Sequence, residues 1–315
     1  MSWPPIFSDG WGEQDVLRRV LEDEAPFDGR APLSITWGPQ TIDKGMQRRL
    51  GTFQSSADAA VPPEVQTGHV LWLRPEAAGT QAVPTWVVLA ASGEQGFARR
   101  TQLMAPLVRE GCGALILENP YYGLRKPKGQ RGAKIRTVSD QFIMNATTIR
   151  EGLDLLDWLR AQGHKHVGIT GYSMGGHMAA YAACHDAGPL AVVPAATGLS
   201  AEPIYTQGAL QRSVAWPRLD DSPDAKAELG RLLRRITDAL PDLSPHSPAI
   251  LVAARRDGFV FPEQVERLHA LWPHSELRWV DGGHVTALVR RADVIRCALR
   301  DAMQRLVGAD GCPRS

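Results

Sequence analysis

Cysteine is scarce: four residues in 315, Cys112, Cys184, Cys297 and Cys312, scattered with no paired-ligand spacing. That pattern fits reduced thiols and excludes a disulfide framework or a zinc site, so no metal and no cofactor is implied. Charge of one sign is missing too. With 35 Lys+Arg against 34 Asp+Glu the net charge is +1, too weak a field to predict a nucleic-acid partner. No stretch approaches the roughly 18 apolar residues of a membrane span. The opening Met1-Ser2-Trp3-Pro4-Pro5 has neither the basic nor the apolar region of a signal peptide. A cytoplasmic protein is therefore expected. What is present, 43% hydrophobic and 22% charged residues, is ordinary globular composition and excludes disorder and coiled coil.

From about residue 85 short β-branched runs alternate with helical patterns, which predicts an α/β protein with a mostly parallel sheet flanked by helices. Strands are expected at Trp86 to Ala91, Ala114 to Glu118, Val167 to Tyr172, Ala191 to Ala196, Ile250 to Ala254 and Glu276 to Val280. Helices are expected at Ala98 to Glu110, Ser139 to Gln162 (with Ser139 as its cap), Met174 to Cys184, Pro262 to Leu271 and Val285 to Val307. Upstream, Ile35 to Trp37 and Val70 to Arg74 read as antiparallel edge strands, and the opening around Trp3 and Trp11 as a wrapping arm. Between Thr197 and Ser247 the strand rhythm stops, and prolines 203, 217, 223, 241 and 245 punctuate a polar helix. The division expected is an N-terminal arm with edge elements over 1–65, one domain over 66–308 carrying a small helical cap at about 198–247, and a disordered tail over 309–315.

Gly171-Tyr172-Ser173-Met174-Gly175 follows an apolar run and precedes a helical pattern, the context that a Gly-x-Ser-x-Gly nucleophile elbow requires. Glycines are needed there because a Cβ would strike the neighbouring strand or helix. A serine hydroxyl is a poor nucleophile near neutral pH, so it needs a base, and the base needs an orienting carboxylate. His284, just past the last strand in Asp281-Gly282-Gly283-His284, is placed to be the base; His177 is placed to pack or bond locally. His164, His166, His269 and His274 sit at element ends and read as solvated. Asp257, after the strand Ile250 to Ala254, is the preferred acid, with Asp281 as rival. An oxyanion hole would draw on the N–H of Met174 and on the loop Ser92 to Phe97, by position the N–H of Glu94 or of a residue beside it.

With these elements in place the chain resembles the α/β hydrolases, and more narrowly the family of alpha/beta hydrolase domain-containing protein 18. The specific matches are Gly96-Phe97 with Arg99-Arg100, the block Leu117-Glu118-Asn119-Pro120-Tyr121-Tyr122-Gly123 with Arg125-Lys126-Pro127-Lys128, then Val138-Ser139-Asp140, Gly175-Gly176-His177-Met178-Ala179 and Gly282-Gly283-His284. The resemblance implies the α/β-hydrolase fold and a serine acyl hydrolase, with Ser173, Asp257 and His284 at the family's catalytic positions. It also implies a lipid ester as substrate, since the family is associated with phospholipid deacylation in mitochondria. A compact cap stands here in place of the long insertion of larger members.

Six cations, Arg125, Lys126, Lys128, Arg131, Lys134 and Arg136, fall in twelve residues, and no acid occurs between Glu118 and Asp140. Two readings of this loop stand: an anionic head group or membrane surface docks on Arg125, Lys126 and Lys128 while Tyr121 and Tyr122 flank the substrate, or the loop is solvated and the tyrosines pack at the strand end. The activity expected is hydrolysis of a carboxylic ester through an acyl-enzyme, acting on a small-molecule or lipid ester with peripheral contact to anionic membrane. Its rivals are a peptidase or acyltransferase on the same residues and a non-catalytic binding protein of the same fold.

Overall fold

Apolar runs without polar alternation form strands covered on both faces, and five such runs make the middle of this protein. The computed structural model describes residues 5–22, 27, 29–55, 61–220, 224–238 and 240–310. Trp3, Pro223, Cys312 and positions 311–315 lie outside the described residues. Among the described residues there are ten strands and nine α-helices. First come α1 (Gln14–Glu22), β1 (Thr36–Trp37), β2 (Thr41–Asp43), β3 (Met46–Gln54) and β4 (Thr67–Pro75). The alternating region follows as β5 (Thr85–Leu89), α2 (Ala98–Arg109), β6 (Gly113–Leu117), α3 (Val138–Ala161), β7 (Val167–Tyr172), α4 (Met174–Cys184) and β8 (Ala191–Ala195). The cap contributes α5 (Glu202–Thr206) and α6 (Ala225–Asp238). The chain ends with β9 (Ile250–Ala254), α7 (Pro262–Leu271), β10 (Glu276–Val280), α8 (His284–Arg290) and α9 (Ala292–Asp310).

The sheet order is β1-β3-β4-β6-β5-β7-β8-β9-β10, with β2 also paired to β3. From β6 to β10 all pairings are parallel, and β4 joins β6 antiparallel. Because β6 lies on one side of β5 and β7 on the other, the order reverses at β5, and a crevice opens outside the carboxyl ends of those strands. One face packs on α3 and α4 through residues such as Leu153, Leu156 and Met178. The other packs on α2 and α9 through Met104, Leu107, Leu299 and Met303. A third core is built from segments that follow β6 and β8, where Phe7, Tyr121, Tyr122, Phe142, Tyr205, Leu229 and Leu232 join the N-terminal segment to the cap.

Three expectations are corrected. The strand around Val70 is interior, since β4 lies between β3 and β6, and the polar strand β3 that covers it has an alternation too weak to show in Met46-Gln47-Arg48-Arg49-Leu50. The long C-terminal helix is two helices, because Arg291 leaves helical geometry at φ −125°. The cap of α3 is Thr137, whose hydroxyl accepts from the Asp140 N–H at 3.0 Å, while Ser139 lies in the first turn and receives the Glu13 N–H.

The N-terminal segment ties loop to cap. Ile6 bridges Val214, Phe7 N–H donates to Ile135, Asp9 N–H donates to Arg136, and Trp11 Nε1 donates to Leu219.

Candidate active site

Between β7 and α4 the chain turns so sharply that Ser173 stands at φ 55°, ψ −119°, a conformation a side chain rarely adopts. Two backbone bonds hold it there, Ser173 N–H to Ala195 O at 2.8 Å and His177 N–H to Ser173 O at 2.9 Å. The space around it is filled. A Cβ on Gly171 would lie 2.3 Å from the Gly175 carbonyl carbon, and one on Gly175 would lie 2.6 Å from Ala90 O. The elbow therefore closes only with glycine, and its helix is pressed directly against the end of β5.

Loops after two later strands meet the serine. His284 Nε2 is 2.8 Å from Ser173 Oγ, and His284 Nδ1 is 2.7 Å from Asp257 Oδ2. The other carboxylate oxygen of Asp257 accepts the N–H groups of Phe259 at 2.8 Å and Val260 at 2.9 Å, which fixes the plane of the carboxylate. A carboxylate only accepts, so Nδ1 carries the ring proton and Nε2 presents a lone pair to the hydroxyl. Asp281 is elsewhere. Its side chain is 79% exposed and 4.0 Å from Arg255.

Two tilted rings contact the imidazole, Phe259 at 4.9 Å and Tyr172 at 5.4 Å between centroids. The Tyr172 hydroxyl also donates to the His284 carbonyl. Burial and the nearby Asp257 charge raise the pKa of that phenol, so it stays a donor. His177 turns away from the serine. Its Nδ1 lies 3.2 Å from Gly198 O, and burial pushes its pKa down to about 4. His164, expected in solvent, is instead buried beside Thr85 Oγ1 at 3.0 Å and Val83 O at 2.7 Å.

Met174 is the first residue of α4, so its N–H has no partner within the helix, and its side chain packs on the third core. The N–H of Glu94 closes a turn onto Ala91 O at 3.1 Å and is therefore occupied. The Glu94 carboxylate is buried and accepts from Arg100 Nε at 3.0 Å.

Arg125, expected to face a substrate, is 0% exposed. Its guanidinium donates to Glu151 Oε2 at 2.6 Å, Glu151 Oε1 at 2.7 Å, Val65 O at 2.7 Å, Ser55 Oγ at 3.1 Å and Glu118 O at 3.1 Å. Fully buried and ion-paired to Glu151, it is out of reach of a ligand in the crevice. Arg136 likewise pairs with Asp9. Tyr121 and Tyr122 are both buried in the third core, so of the two readings of these tyrosines the packed one holds. Lys126 and Lys134 are half-buried, Lys128 and Arg131 exposed, and among the described residues none of the four forms an ion pair. Their loop lies close to the turn after β5, since a Cβ on Gly93 would stand 4.0 Å from Ala133 Cβ.

A doubly wound sheet with a serine at the elbow after β7, and a histidine and an aspartate brought to it from the ends of β10 and β9, defines the α/β-hydrolase class. The family model for "Alpha/beta hydrolase domain containing 18" matches residues 4–240 and 238–305, and the chain belongs to that family. Among solved structures it is similar to an acetyl xylan esterase from Paenibacillus sp. R4 (TM-score 0.61, 14% identity, covering 91% of this chain and 97% of that one). It is similar also to Est1E from Butyrivibrio proteoclasticus, solved with ferulic acid (0.56, 13%, 76% and 96%). A third is a cold-adapted esterase from an Arctic intertidal metagenomic library (0.53, 16%, 84% and 99%). These likenesses establish the fold.

Sequence reasoning missed Tyr172, Phe259, Arg100 and Glu118. The first two had a signal, each lying next to or near an expected site residue. The last two stand inside the family-matching motifs, but nothing there marked them as buried, and a charged residue reads as solvated until its burial is known.

Proposed function

We propose that this protein hydrolyses carboxylic esters through an acyl-enzyme. The observation that carries the reading is the unbroken chain of short contacts from Asp257 Oδ2 through the His284 ring to Ser173 Oγ, at 2.7 and 2.8 Å. Ser173 Oγ attacks the ester carbonyl as His284 Nε2 takes its proton, and the tetrahedral oxyanion forms beside the N–H of Met174. His284 then returns that proton to the departing alcohol oxygen. In the second half His284 takes a proton from water as its oxygen attacks the acyl carbon, then gives that proton to Ser173 Oγ as the acyl C–O bond breaks, and the acid leaves. Asp257 keeps the imidazole in the tautomer and orientation both steps require, and it stabilises the imidazolium formed in each.

The substrate class the site favours is an anionic amphiphile such as a lipid ester. In support, Lys126, Lys128, Arg131 and Lys134 lie on a loop that packs against the turn after β5, where they set a positive field at the mouth of the crevice. Leu124, 60% exposed beside them, offers an apolar contact to the same partner. A peripheral meeting with an anionic lipid surface follows from that pairing of charge and apolar area.

A serine-directed fluorophosphonate tests the mechanism. Peptide mapping should find the label on Ser173 alone, and both Ser173→Ala and His284→Ala should abolish it. A label on another serine, or none on folded protein, overturns the reading.

A further inference from the structure

One buried cluster has no part in the steps above. Two carboxylates and one guanidinium, Glu94, Glu118 and Arg100, lie beneath the turn that joins β5 to α2, with 9%, 0% and 3% of their surface exposed. Burying three charged groups is costly, so such a cluster persists where its geometry is needed or its members satisfy one another. Here they hold backbone. Arg100 Nη2 donates to Gly96 O at 2.6 Å and Nη1 to Val88 O at 3.3 Å and to Leu117 O. Glu118 Oε1 accepts the Gly96 N–H at 3.0 Å. Both sides of Gly96 are thus gripped, the amide from β6 and the carbonyl from α2. Glu94 returns its other carboxylate oxygen to the Ala91 N–H at 3.3 Å, which closes the turn from inside.

The turn has an inner and an outer side. Ala91 and Glu94 are buried, while Ser92, Gly93 and Gln95 are exposed. It begins one residue beyond Ala90, whose carbonyl presses against Gly175 in the first turn of the serine-bearing helix. The turn therefore starts beside the elbow, the place from which a second oxyanion donor would come. Gly96 holds φ +71° and Gly93 φ +79°, conformations glycine adopts freely, so local sterics alone do not fix this turn. The unusual block around Glu118 also fits this role: Gly123 is glycine because a Cβ there would lie 2.2 Å from Glu118 Oε1.

We infer that Arg100 and Glu118 are positioning residues that set the backbone of the oxyanion turn, an inference that rests on the acyl-enzyme reading above. They touch no reacting atom. They act through the Gly96 peptide, and their loss lets the turn move away from where the oxyanion forms. Burial raises the pKa of Glu118, opposed by the Gly96 amide, Arg100 and Arg125.

Arg100→Lys keeps the charge that pairs with Glu94 but loses the planar fork that reaches Gly96, Val88 and Leu117 together. Three quantities on one small ester series decide the matter: kcat, KM, and the affinity for a trifluoromethyl ketone set against that for its unreactive methyl ketone. The trifluoromethyl ketone adds to Ser173 and creates an oxyanion; the methyl ketone only occupies the site. In Arg100→Lys kcat should fall roughly 10²-fold, the scale of one lost oxyanion donor, and trifluoromethyl ketone affinity should fall with it. KM and methyl ketone affinity should stay within about twofold. Glu118→Gln, which keeps an oxygen for the Gly96 N–H, should stay within about threefold of wild type, and Glu118→Met should behave like Arg100→Lys. If Arg100→Lys does not fold, Glu118→Met set against Glu118→Gln carries the same comparison. Variants that fold and bind the trifluoromethyl ketone as wild type does overturn this inference alone. A wild type that binds it no better than the methyl ketone overturns the acyl-enzyme reading as well.

Discussion

The hydroxyl of Tyr172 donates to the backbone carbonyl of His284, so the residue just before the serine holds the segment that carries the imidazole. Position 172 closes β7 and position 284 opens α8, and the bond joins two elements that the chain separates by more than a hundred residues. It also sets a buried, tilted ring beside the imidazole, which Phe259 contacts as well.

Replacing Tyr172 with Phe keeps the ring and removes that donor. A typical net hydrogen bond is worth about 1 kcal/mol, so the thermal midpoint should drop by a few degrees. Loosening the imidazole should lower kcat/KM by about tenfold with KM little changed. Steady-state kinetics and a melting curve on the same preparation check both, and a variant with wild-type kinetics would show that Asp257 alone orients the ring.

Asp257→Asn should slow turnover by something on the order of 10⁴, since an amide cannot hold the imidazole in the working tautomer. Asp281→Asn should leave kcat within about twofold, because that side chain is exposed and points to Arg255. Single-turnover acylation of the two variants separates them directly. The reverse pattern would overturn the choice of acid.

The two kinds of cation in the loop after β6 should behave oppositely. Neutralising Lys126, Lys128 and Arg131 together should leave the melting temperature near wild type and cut kcat/KM for an anionic lipid ester by about two orders of magnitude at low salt, at roughly 1 kcal/mol per cation. A small neutral ester should be hydrolysed as before, and salt should erase much of the difference. Arg125→Gln should instead cost about 3–5 kcal/mol of stability by leaving the buried Glu151 unpaired. Equal loss on both esters in the triple variant would make the exposed cations structural.

Stability should fall as the medium becomes acidic, partly through His177. Burial lowers its pKa from 6.5 to about 4, so the folded state favours the neutral ring. Above pH of about 6.5 neither state is protonated and the contribution is complete. Between about 6.5 and 4 the unfolded chain takes up a proton that the folded chain refuses, and stability declines across that window. His164, whose pKa burial also lowers, adds to the same slope. Melting temperature measured from pH 7 to pH 4 should decline more steeply in wild type than in His177→Gln.

The central strands were legible because apolar runs such as Trp86-Val87-Val88-Leu89 and Leu115-Ile116-Leu117 leave a half-exposed alternative no room. The elbow was legible for a related reason. Its glycines are demanded by contacts within a few residues, Gly171 against Gly175 above all, so local sequence carries the constraint. The hairpin of β2 and β3 was less visible, although Asp43-Lys44-Gly45 has positive φ at both Lys44 and Gly45, because its strands are polar on the outer face.

Sequence by itself determined the α/β alternation, the serine at the strand-to-helix turn, and the order in which an acid and a histidine follow it. Those are properties of short segments, set by backbone sterics and apolar periodicity. Tertiary structure decided which acid reaches the imidazole, since Asp257 and Asp281 both sit at strand ends and only the folding of the loop at Phe259 and Val260 turns one of them inward. It decided also that Arg125 pairs in the interior while Lys128, three positions on, is in solvent. A charge carries no mark of its burial in the sequence. Whether it is a surface ligand or an interior strut depends on partners such as Glu151 and Glu118, which only the packing of β6, α2 and α3 brings within bonding distance.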